Sequence, residues 1–415
     1  MAGCSLNDKS AQLAINGGPM VRTDPMPARF ALGTAEKQMI STAIDYYQES
    51  GSDPGYQGKF EDEYCANFCE KMGGGFADAV ATGTASIFVA LAALGLPKGS
   101  EVLVSPITDP GTLSAIIMCG HVPKLIDTGP DGFNIDEESV MARISKDVGA
   151  LVCVHSLGRA IAEIEAICRL CHAHGVKVLE DCSQSHFATI DGQLVGTFGD
   201  IAAFSTMYRK NHISGASGGI VYTKDQNLYH QALAHADRGK PRWLEGFDDR
   251  DPNHFLFPAM NFHTDELSCA IGIASLARID ETKIKRLAYM EGVQEGLAAC
   301  SNVVSVNGVT EGVSPFVIPV CVDTDAILGT KQAFAEAVRT EGIGLNPHYA
   351  YIVRDWSWLR PYLADEFETT NARCARDSHF MLYVNEMYTE REIQDTIEAI
   401  LKVEAAYEKL TKKPS

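Results

Sequence analysis

The stretch ALVCVHSLGRAIAEIEAICRLCHAHGVKVLEDCSQ, residues 150–184, decides the fold. Its first apolar run, Ala150–His155, predicts a strand. Apolar side chains then recur at helical spacing within Ala162–His174, which predicts an amphipathic helix. A second apolar run, Val176–Glu180, ends directly before Asp181. Strand, helix and strand in this order predict a parallel βαβ unit, and ligands bind at the carboxyl ends of the strands in such sheets.

The same alternation extends from about residue 76 to residue 222. Short apolar runs predict the strands Ala77–Ala81, Glu101–Ser105, Val122–Ile126, Ala150–His155, Val176–Glu180, Ile201–Ser205 and Gly219–Thr223. Helical patterns lie between the earlier ones at Ala85–Leu94, Gly111–Cys119 and Ala162–His174. The expected fold class is therefore α/β, with a mainly parallel sheet covered by helices on both faces.

The pattern changes after about residue 279, where strands and helices no longer alternate regularly. The predicted elements there are one strand and two helices, Ser314–Cys321, Thr330–Glu341 and Thr389–Leu410. The last helix opens with Thr389 and Glu392 at capping-box spacing. We predict an irregular N-terminal arm over residues 1–27, a large domain over 28–278 and a smaller α+β domain over 279–415.

Composition excludes several classes of protein. The net charge of -19 opposes binding to nucleic-acid phosphates, which requires excess Lys and Arg. The N-terminus lacks a basic segment followed by an apolar run, so we expect a cytoplasmic protein with reduced cysteines. The uncharged stretch Ala79–Pro97 predicts a strand, a turn and a buried helix rather than a membrane span.

A cysteine cluster in the predicted helix Ala162–His174 has two possible explanations. Cys168-Arg169-Leu170-Cys171-His172 matches the spacing of c-type haem attachment. The cysteines also recur at helical spacing with apolar neighbours, which favours packing residues. A second pair of ligands at zinc-finger spacing does not follow. We therefore predict no metal site.

The first candidate site is the turn Ala81-Thr82-Gly83-Thr84-Ala85-Ser86, between a predicted strand and a predicted helix. The N–H groups of a helix N-terminus are free and the helix dipole is positive there. Gly83, Thr84 and Ala85 would therefore suit a phosphate. The same sequence is equally typical of an ordinary tight turn.

The second candidate is Asp181, which ends a predicted strand and is followed by the amide of Gln184. A cofactor with a pyridine ring needs a carboxylate that keeps the ring nitrogen protonated while the ring accepts electrons. A carboxylate that caps the next turn is the alternative interpretation.

The third candidate is Lys210, in the loop between the strand that ends at Ser205 and the glycines Gly218 and Gly219. A lysine attacks an aldehyde when burial or a cationic neighbour, here Arg209, lowers its pKa. Taken alone, a lysine in a loop is usually solvated. The order of a phosphate turn, an aspartate at a strand end, a serine and then a lysine favours the covalent role.

In these motifs the chain resembles the DegT/DnrJ/EryC1/StrS family of pyridoxal-phosphate (PLP) enzymes, the sugar and cyclitol aminotransferases. The similar segments cover nearly the whole chain and are Asn16-Gly17-Gly18-Pro19, Tyr56-Gln57-Gly58, Phe60-Glu61, Gly83-Thr84-Ala85, the run from Glu180 to His186, Phe204-Ser205, Lys210, Gly218-Gly219 and the segment from Asn261. The resemblance implies an aspartate-aminotransferase-like fold (fold-type I) and a homodimer.

The resemblance also implies a role for each matched residue. Lys210 would hold pyridoxal 5'-phosphate as a Schiff base and then act as the general base, and Asp181 would bind the pyridine nitrogen. Gln184 would lie near the phenolic oxygen of the ring. Ser205 would bind the phosphate, and Asn261 would reach the phosphate of the neighbouring subunit.

Three positions depart from the family pattern. Asp109 stands where the family carries an aromatic side chain stacked on the pyridine ring, so either another side chain stacks there or Asp109 contacts the cofactor or the substrate. Ser217 replaces an acidic residue before the paired glycines. His263 and Thr264 replace the Arg and Met that follow Asn261 in the family.

By this resemblance the chain is a transferase of amino sugar biosynthesis. It would move an amino group from glutamate or glutamine to a keto-sugar or keto-cyclitol. Some relatives are sugar dehydratases in which a histidine replaces the lysine, and His212 keeps that possibility open. Lys210 does not exclude an amino-hydroxybenzoate-synthase-like enzyme, and a non-catalytic regulator could keep the same fold.

Overall fold

The computed structural model describes residues 12–130, 132–306 and 311–409. Helices and strands are numbered here in chain order. Their bounds are α1 Thr34–Glu49, α2 Lys59–Lys71, β1 Phe76–Val80, α3 Gly83–Ala93, β2 Glu101–Val104, α4 Pro110–Met118, β3 Val122–Leu125, α5 Glu137–Met141, β4 Val148–Val154, α6 Ile164–Ala173, β5 Lys177–Asp181, β6 Thr189–Ile190, β7 Gln193–Leu194, β8 Ile201–Ser205, β9 Gly219–Thr223, α7 Gln226–Ala236, α8 Glu266–Ala277, α9 Ile279–Cys300, β10 Val304–Val306, β11 Val317–Val322, α10 Lys331–Thr340, β12 Leu345–Asn346, α11 Thr370–Ser378, β13 His379–Tyr383 and α12 Glu390–Tyr407.

The larger sheet contains seven strands in the order β1-β9-β8-β5-β4-β2-β3. Neighbours from β8 to β3 are parallel, and only β9 runs against its two neighbours among the described strands. The predicted α/β class with a mainly parallel sheet is confirmed. All seven predicted strands lie in this sheet, and their observed ends differ from the prediction by at most two residues.

Alternating side chains of these strands serve two apolar layers. Val102 and Val152 pack in the same cluster as residues of α3 and α4, whereas Leu103 and Leu151 pack with the apolar face of α6. A strand whose two faces are both covered must be apolar throughout. This is why the decisive stretch contains continuous apolar runs instead of alternating ones.

The smaller sheet is antiparallel, with the order β10-β11-β13-β12, and α9, α10 and α12 contribute to its core. The predicted smaller α+β unit is therefore present. The capping box of the last helix is also confirmed, since Thr389 N donates to Glu392 Oε2 at 2.8 Å. The boundary at residues 278 and 279 stays a prediction, and it falls at Arg278, between α8 and α9.

The described part of the predicted N-terminal arm packs on the smaller sheet. Leu13 is buried in the core of that unit, and Arg22 forms salt bridges with Glu392 at 2.9 Å and Asp395 at 2.6 Å. Residues 1–11 of the predicted arm lie outside the described residues.

The uncharged stretch near residue 80 is divided as predicted into strand, turn and helix. Helix α3 has 11 residues, whereas a bilayer requires about 20. None of the described helices has the length and apolar character that a membrane crossing needs.

Candidate active site

The loop that carries Lys210 leaves the carboxyl end of β8 and returns into β9. Thr206 closes its base, because Thr206 N donates to Gly218 O and Ser214 N donates to Thr206 O, each at 2.8 Å. Ser217 Oγ donates to Ala81 O at 2.9 Å, which ties the loop to the turn before α3. This contact gives Ser217, one of the three departures, a role in closing the loop.

The amine of Lys210 lies close to one aromatic ring and within the influence of two carboxylates. Its Nζ is 4.3 Å from the centroid of the Phe316 ring, which comes from the smaller domain. Burial lowers the pKa of Lys210 to about 8, although the charges of Asp181 and Asp109 favour its protonated form. A larger fraction of this amine is therefore neutral near pH 7 than of an ordinary lysine.

Asp181 ends β5, next to β8, and its side chain is 4% exposed. Burial raises the pKa of Asp181, whereas hydrogen bonds from Ser183 and the charge of Lys210 oppose the rise. Ser183 N donates to Asp181 Oδ1 at 3.0 Å, and Ser183 Oγ accepts from Ser205 N at 3.0 Å. Ser183 therefore connects the aspartate to the end of the neighbouring strand.

Gln184 faces the smaller domain. Its Oε1 accepts from Leu157 N at 2.9 Å, and its side chain is hydrogen-bonded to Tyr349. Leu157 has a φ of +62°, which is uncommon for a leucine, so this hydrogen bond helps to fix a strained turn. Gln184 therefore links the turn at Leu157 to Tyr349 of the smaller domain.

The N-terminus of α3 lies against β8. The Oγ1 of the N-cap Thr82 accepts from Ala85 N at 2.8 Å, so Ala85 has an intramolecular partner for its N–H group. The first N–H groups of a helix lack intrahelical partners, and those of Gly83 and Thr84 remain for a ligand among the described contacts. The phosphate role of Gly83, Thr84 and Ala85 stays a prediction, and the N–H group of Ala85 also has a partner in the cap.

Gly83 and Ser205 are in direct contact. A Cβ atom on Gly83 would lie 2.4 Å from the Cβ of Ser205 and 2.7 Å from its Oγ. Only glycine allows this approach, which places the Ser205 hydroxyl beside the open N-terminus of α3. Hydroxyl and backbone donors at one point are typical of a phosphate site.

Asp109 is exposed and caps α4. Its Oδ1 accepts from Gly111 N at 2.8 Å, so the side chain is oriented by the helix that follows. Its charge still acts on Lys210, Asp181 and Tyr349. Asp109 thus lies at the edge of the site, and its contact with the cofactor stays a prediction.

Asn261 belongs to a segment that lies beside the strand end before α3, because Ala81 N donates to Phe262 O at 2.7 Å and Val80 forms a bridge with His263. It is exposed, its Oδ1 accepts from His263 N at 3.1 Å, and its backbone forms a bridge with Asp237. The neighbouring departure, His263, stacks on Tyr56 with ring centroids 4.3 Å apart and lies 3.1 Å from a carboxylate oxygen of Asp237. Among the described residues, the side chain of Asn261 has no hydrogen bond to Lys210 or Asp181.

His212 is completely buried. Its Nε2 lies 2.6 Å from the Tyr64 hydroxyl oxygen and its Nδ1 lies 3.2 Å from Ser275 Oγ. Burial lowers the pKa of His212 to about 3, so its ring is neutral. Both ring nitrogens have partners, which leaves neither of them for a substrate.

His155, Glu180 and Cys182 are the one group of at least three potential metal ligands that lie close together among the described residues. His155 Nε2 is 2.9 Å from Glu180 Oε2, and His155 Nδ1 accepts from Ile161 N at 3.0 Å. Glu180 also accepts three backbone N–H groups, from Gly196, Phe198 and Gly199. These hydrogen bonds occupy both ring nitrogens of His155 and both carboxylate oxygens of Glu180. The group therefore stabilises the chain around β5.

The residues of the site fit pyridoxal 5'-phosphate. The N–H groups at the start of α3 and the Ser205 hydroxyl would bind the phosphate. A protonated pyridine nitrogen would find the buried carboxylate of Asp181, which lacks a close cationic partner of its own at hydrogen-bond distance among the described residues. The buried amine of Lys210 would react with the aldehyde carbon. These three functions occupy the carboxyl ends of β5 and β8 and the nearby start of α3.

Two contributors to this site escape prediction from the sequence. Phe316 lies inside a predicted strand of the smaller domain, and Arg29 stands alone near the predicted arm. Arg29 Nη1 donates to the carbonyl oxygen of Lys210 at 2.6 Å. Neither residue belongs to a local pattern, because both reach the site from segments distant in sequence.

The sequence is similar to known aminotransferases. A family model described as the DegT/DnrJ/EryC1/StrS aminotransferase family matches residues 38–401. A protein of Streptoalloteichus tenebrarius, assigned by name as an L-glutamine:3-amino-2,3-dideoxy-scyllo-inosose aminotransferase, is 32% identical over 290 residues. The alignment covers 69% of this chain and 67% of that protein.

The fold is similar to solved structures of the same kind. The aminotransferase from Psychrobacter cryohalolentis superposes with a TM-score of 0.82 at 25% identity, covering 91% of this chain and 98% of that one. A variant of GDP-4-keto-6-deoxymannose-3-dehydratase with bound GDP-perosamine gives a TM-score of 0.80 at 21% identity, covering 91% and 99%. The second likeness concerns the fold alone.

Proposed function

The chain belongs to the DegT/DnrJ/EryC1/StrS aminotransferase family, and from this premise we propose that it transfers an amino group from glutamine or glutamate to a ketone on a cyclitol or sugar ring. The cofactor of this PLP-dependent transaminase is pyridoxal 5'-phosphate. The name of the Streptoalloteichus tenebrarius relative, which specifies L-glutamine and an inosose, supports this choice of donor and acceptor.

One observation carries the proposal, the position of the Lys210 amine near the buried carboxylate of Asp181. When bound, the cofactor supplies an electron-accepting ring and a carbonyl carbon that an amine can attack. Lys210 would hold that carbon covalently and, once released, would take the proton from the substrate's α-carbon. Asp181 would keep the ring nitrogen protonated. The Phe316 ring, 4.3 Å from Nζ, limits access of water to the amine.

A sugar dehydratase has less support. In that reaction a histidine would replace the catalytic lysine, and His212 is the candidate. That side chain is buried, and Tyr64 and Ser275 are at hydrogen-bond distance from its two ring nitrogens. A non-catalytic regulator also has less support, because Lys210, Asp181 and Ser205 lie together in a form that suits the cofactor.

We propose further that the active enzyme is a cytoplasmic homodimer. Asn261 is exposed and, among the described residues, its side chain has no hydrogen bond to Lys210, Asp181 or Ser205, which supports a role at the phosphate of a second subunit. All cysteines among the described residues are free thiols, as expected in a reducing compartment. The net charge of -19 supports a small-molecule substrate over nucleic acid.

The first experiment records the visible spectrum of the protein with added PLP, before and after L-glutamine or L-glutamate. We expect a band from the lysine-bound cofactor that the donor removes and that a ring ketone such as scyllo-inosose restores. Lys210→Ala should give no such band. A band that neither donor changes would contradict amino transfer and favour a dehydratase or a regulator.

The assignment of Lys210 is tested by borohydride reduction and peptide mass spectrometry. Lys331 is a matched comparison, because it is only 3% exposed and burial also lowers its pKa to about 8. We expect the cofactor on the peptide with Lys210 and not on the peptide with Lys331. Reduction onto Lys331, or onto any other lysine, would contradict the proposed site.

A further inference from the structure

A single guanidinium group holds the main chain around Lys210. Arg29 Nη1 donates to the carbonyl oxygens of Tyr208 at 2.9 Å and Lys210 at 2.6 Å, and Nη2 donates to that of Asn211 at 3.2 Å. One side chain thus binds three of four consecutive carbonyl groups. Hydrogen bonds from a charged donor are stronger than those between neutral groups.

Arg29 is itself fixed by the smaller domain. Its Nε donates to Glu386 Oε1 at 2.9 Å, and the other oxygen of Glu386 accepts from Arg286 Nη2 at 2.9 Å. The side chains of Arg29, Glu386 and Arg286 are only 14%, 12% and 1% exposed. Burial alone would raise the pKa of Glu386, but Arg286 and Arg29 lower it, so this carboxylate remains charged.

The same network reaches the amine end of Lys210. Asn211 accepts from Arg286 Nη1 at 2.5 Å and donates to Ser314 Oγ at 2.9 Å and to Pro315 O at 3.2 Å. The next residue, Phe316, covers Nζ of Lys210 at 4.3 Å. Contacts from Arg29 and Arg286 therefore hold both the backbone of the lysine and the segment that leads to the ring over its amine.

We propose that Arg29 is a positioning residue for Lys210, which holds the backbone of the lysine at the place where its amine meets the cofactor. The role rests on the proposed function, in which that amine is the reacting group. Arg29 lies between the predicted arm and α1, so a segment outside the large sheet takes part in the reaction. Its planar fork of donors explains why arginine is needed, since one ammonium group does not span three carbonyl groups in this way.

The test measures amide hydrogen exchange in peptides from residues 206–214 of the full chain, with and without PLP. In Arg29→Gln we expect exchange of these amides to rise about tenfold to a hundredfold, the effect of losing several charge-assisted hydrogen bonds. Arg29→Lys should give an intermediate rise. The kcat of amino transfer should fall more than the KM for the donor rises.

The reactivity of Lys210 toward trace acetic anhydride in the cofactor-free chain gives a second measurement. In the native chain we expect a titration midpoint near the pKa of about 8. In Arg29→Gln the midpoint should move upward toward the ordinary lysine value, because a loosened loop admits water to the amine. Neither measurement depends on amino transfer, so the positioning role can fail while the proposed function stands.

Arg278→Gln is the matched control. Arg278 also donates to a backbone carbonyl near the arm, that of Ala31 at 2.7 Å, and pairs with a buried glutamate, Glu36. It has no hydrogen bond to the loop of Lys210 among the described contacts. Equal effects of the two variants on residues 206–214, or an unchanged profile in Arg29→Gln, would overturn the proposal. If Arg29→Gln does not fold, a native profile in Arg29→Lys would overturn it.

Discussion

Asp109 shows how one residue can serve two purposes at the edge of the site. Its carboxylate caps α4 through Gly111 N, and its charge favours the protonated form of Lys210. An aromatic side chain at this position, as the family resemblance implies, would provide neither effect. A side chain that stacks on the pyridine ring would therefore come from another segment. Phe316, whose ring lies over Nζ of Lys210, is a described aromatic side chain close to that amine.

The depressed pKa of Lys210 predicts the pH dependence of cofactor capture. Only the neutral amine attacks the carbonyl carbon of PLP, so the capture rate should rise with pH up to about 8 and then level off. An ordinary lysine would give a rate that continues to rise to about pH 10.4. Stopped-flow absorbance of the cofactor-free chain mixed with PLP measures the profile.

Asp109→Asn separates the charge of this residue from its capping role. Asparagine is as good an N-cap as aspartate, so α4 should be unaffected. Removal of the negative charge should move the midpoint of the capture profile below the native value. Asp225→Asn, at the N-cap of α7, is the control and should leave the midpoint unchanged. A midpoint that stays at the native value in Asp109→Asn would show that this charge does not act on Lys210.

The start of helix α3 is an element whose function depends on two glycines. Gly83 allows contact with Ser205, and a Cβ atom on Gly219 of β9 would lie 2.4 Å from Thr82 O. Together they let the helix N-terminus approach β8 and β9 closely. The positive end of α3 and the Ser205 hydroxyl then lie side by side, which neither the helix nor the strand could arrange alone.

Gly83→Ala should therefore weaken PLP binding about tenfold to a hundredfold, because the added methyl group displaces the Ser205 hydroxyl and the phosphate loses a donor. A fluorescence titration with PLP gives the Kd, and competition by inorganic phosphate should weaken in parallel. Gly55→Ala is the control, since its Cβ atom would have no neighbour within 4 Å and its φ is not positive. An unchanged Kd in Gly83→Ala would contradict the phosphate assignment.

At the scale of the whole molecule, the site collects residues from segments far apart in sequence. The large sheet provides Asp181, Ser205 and Lys210, the segment before α1 provides Arg29, and the smaller domain provides Phe316. The side chain of Asn261 has no hydrogen bond to any of them among the described residues. We propose that Asn261 instead reaches the phosphate site of a second subunit.

Hybrid dimers test this arrangement. Lys210→Ala and Asn261→Ala should each lose most activity, but a mixture of the two chains, dissociated and reassembled, should recover about a quarter of the native activity. Half of the dimers are then hybrids, and each hybrid contains one site with both residues intact. Amino-transfer assays before and after reassembly measure the recovery.

A mixture of Lys210→Ala and Asp181→Asn is the matched control. Both changes affect residues that one chain contributes to the same site, so each hybrid dimer has two defective sites and should not recover. Recovery in the control mixture, or none in the Asn261 mixture, would show that Asn261 does not act across subunits.

The sequence by itself determined the parallel sheet, the capping box and the order of Gly83, Asp181, Ser205 and Lys210. These features follow from patterns of neighbouring residues, because a strand, a helix or a turn is specified by side chains a few positions apart. The carboxyl ends of parallel strands then had to lie together.

Only the tertiary structure decided which distant side chains complete the site. Arg29 and Lys210 are separated by 181 positions, yet their atoms are 2.6 Å apart. A contact of this kind depends on how segments distant in sequence pack together, and neither segment shows a periodic pattern that predicts it. The same holds for His212, whose burial against Tyr64 and Ser275 leaves it no free ring nitrogen for a reaction. The sequence thus contains the chemical groups and their order. The packing of distant segments determines which of these groups can react.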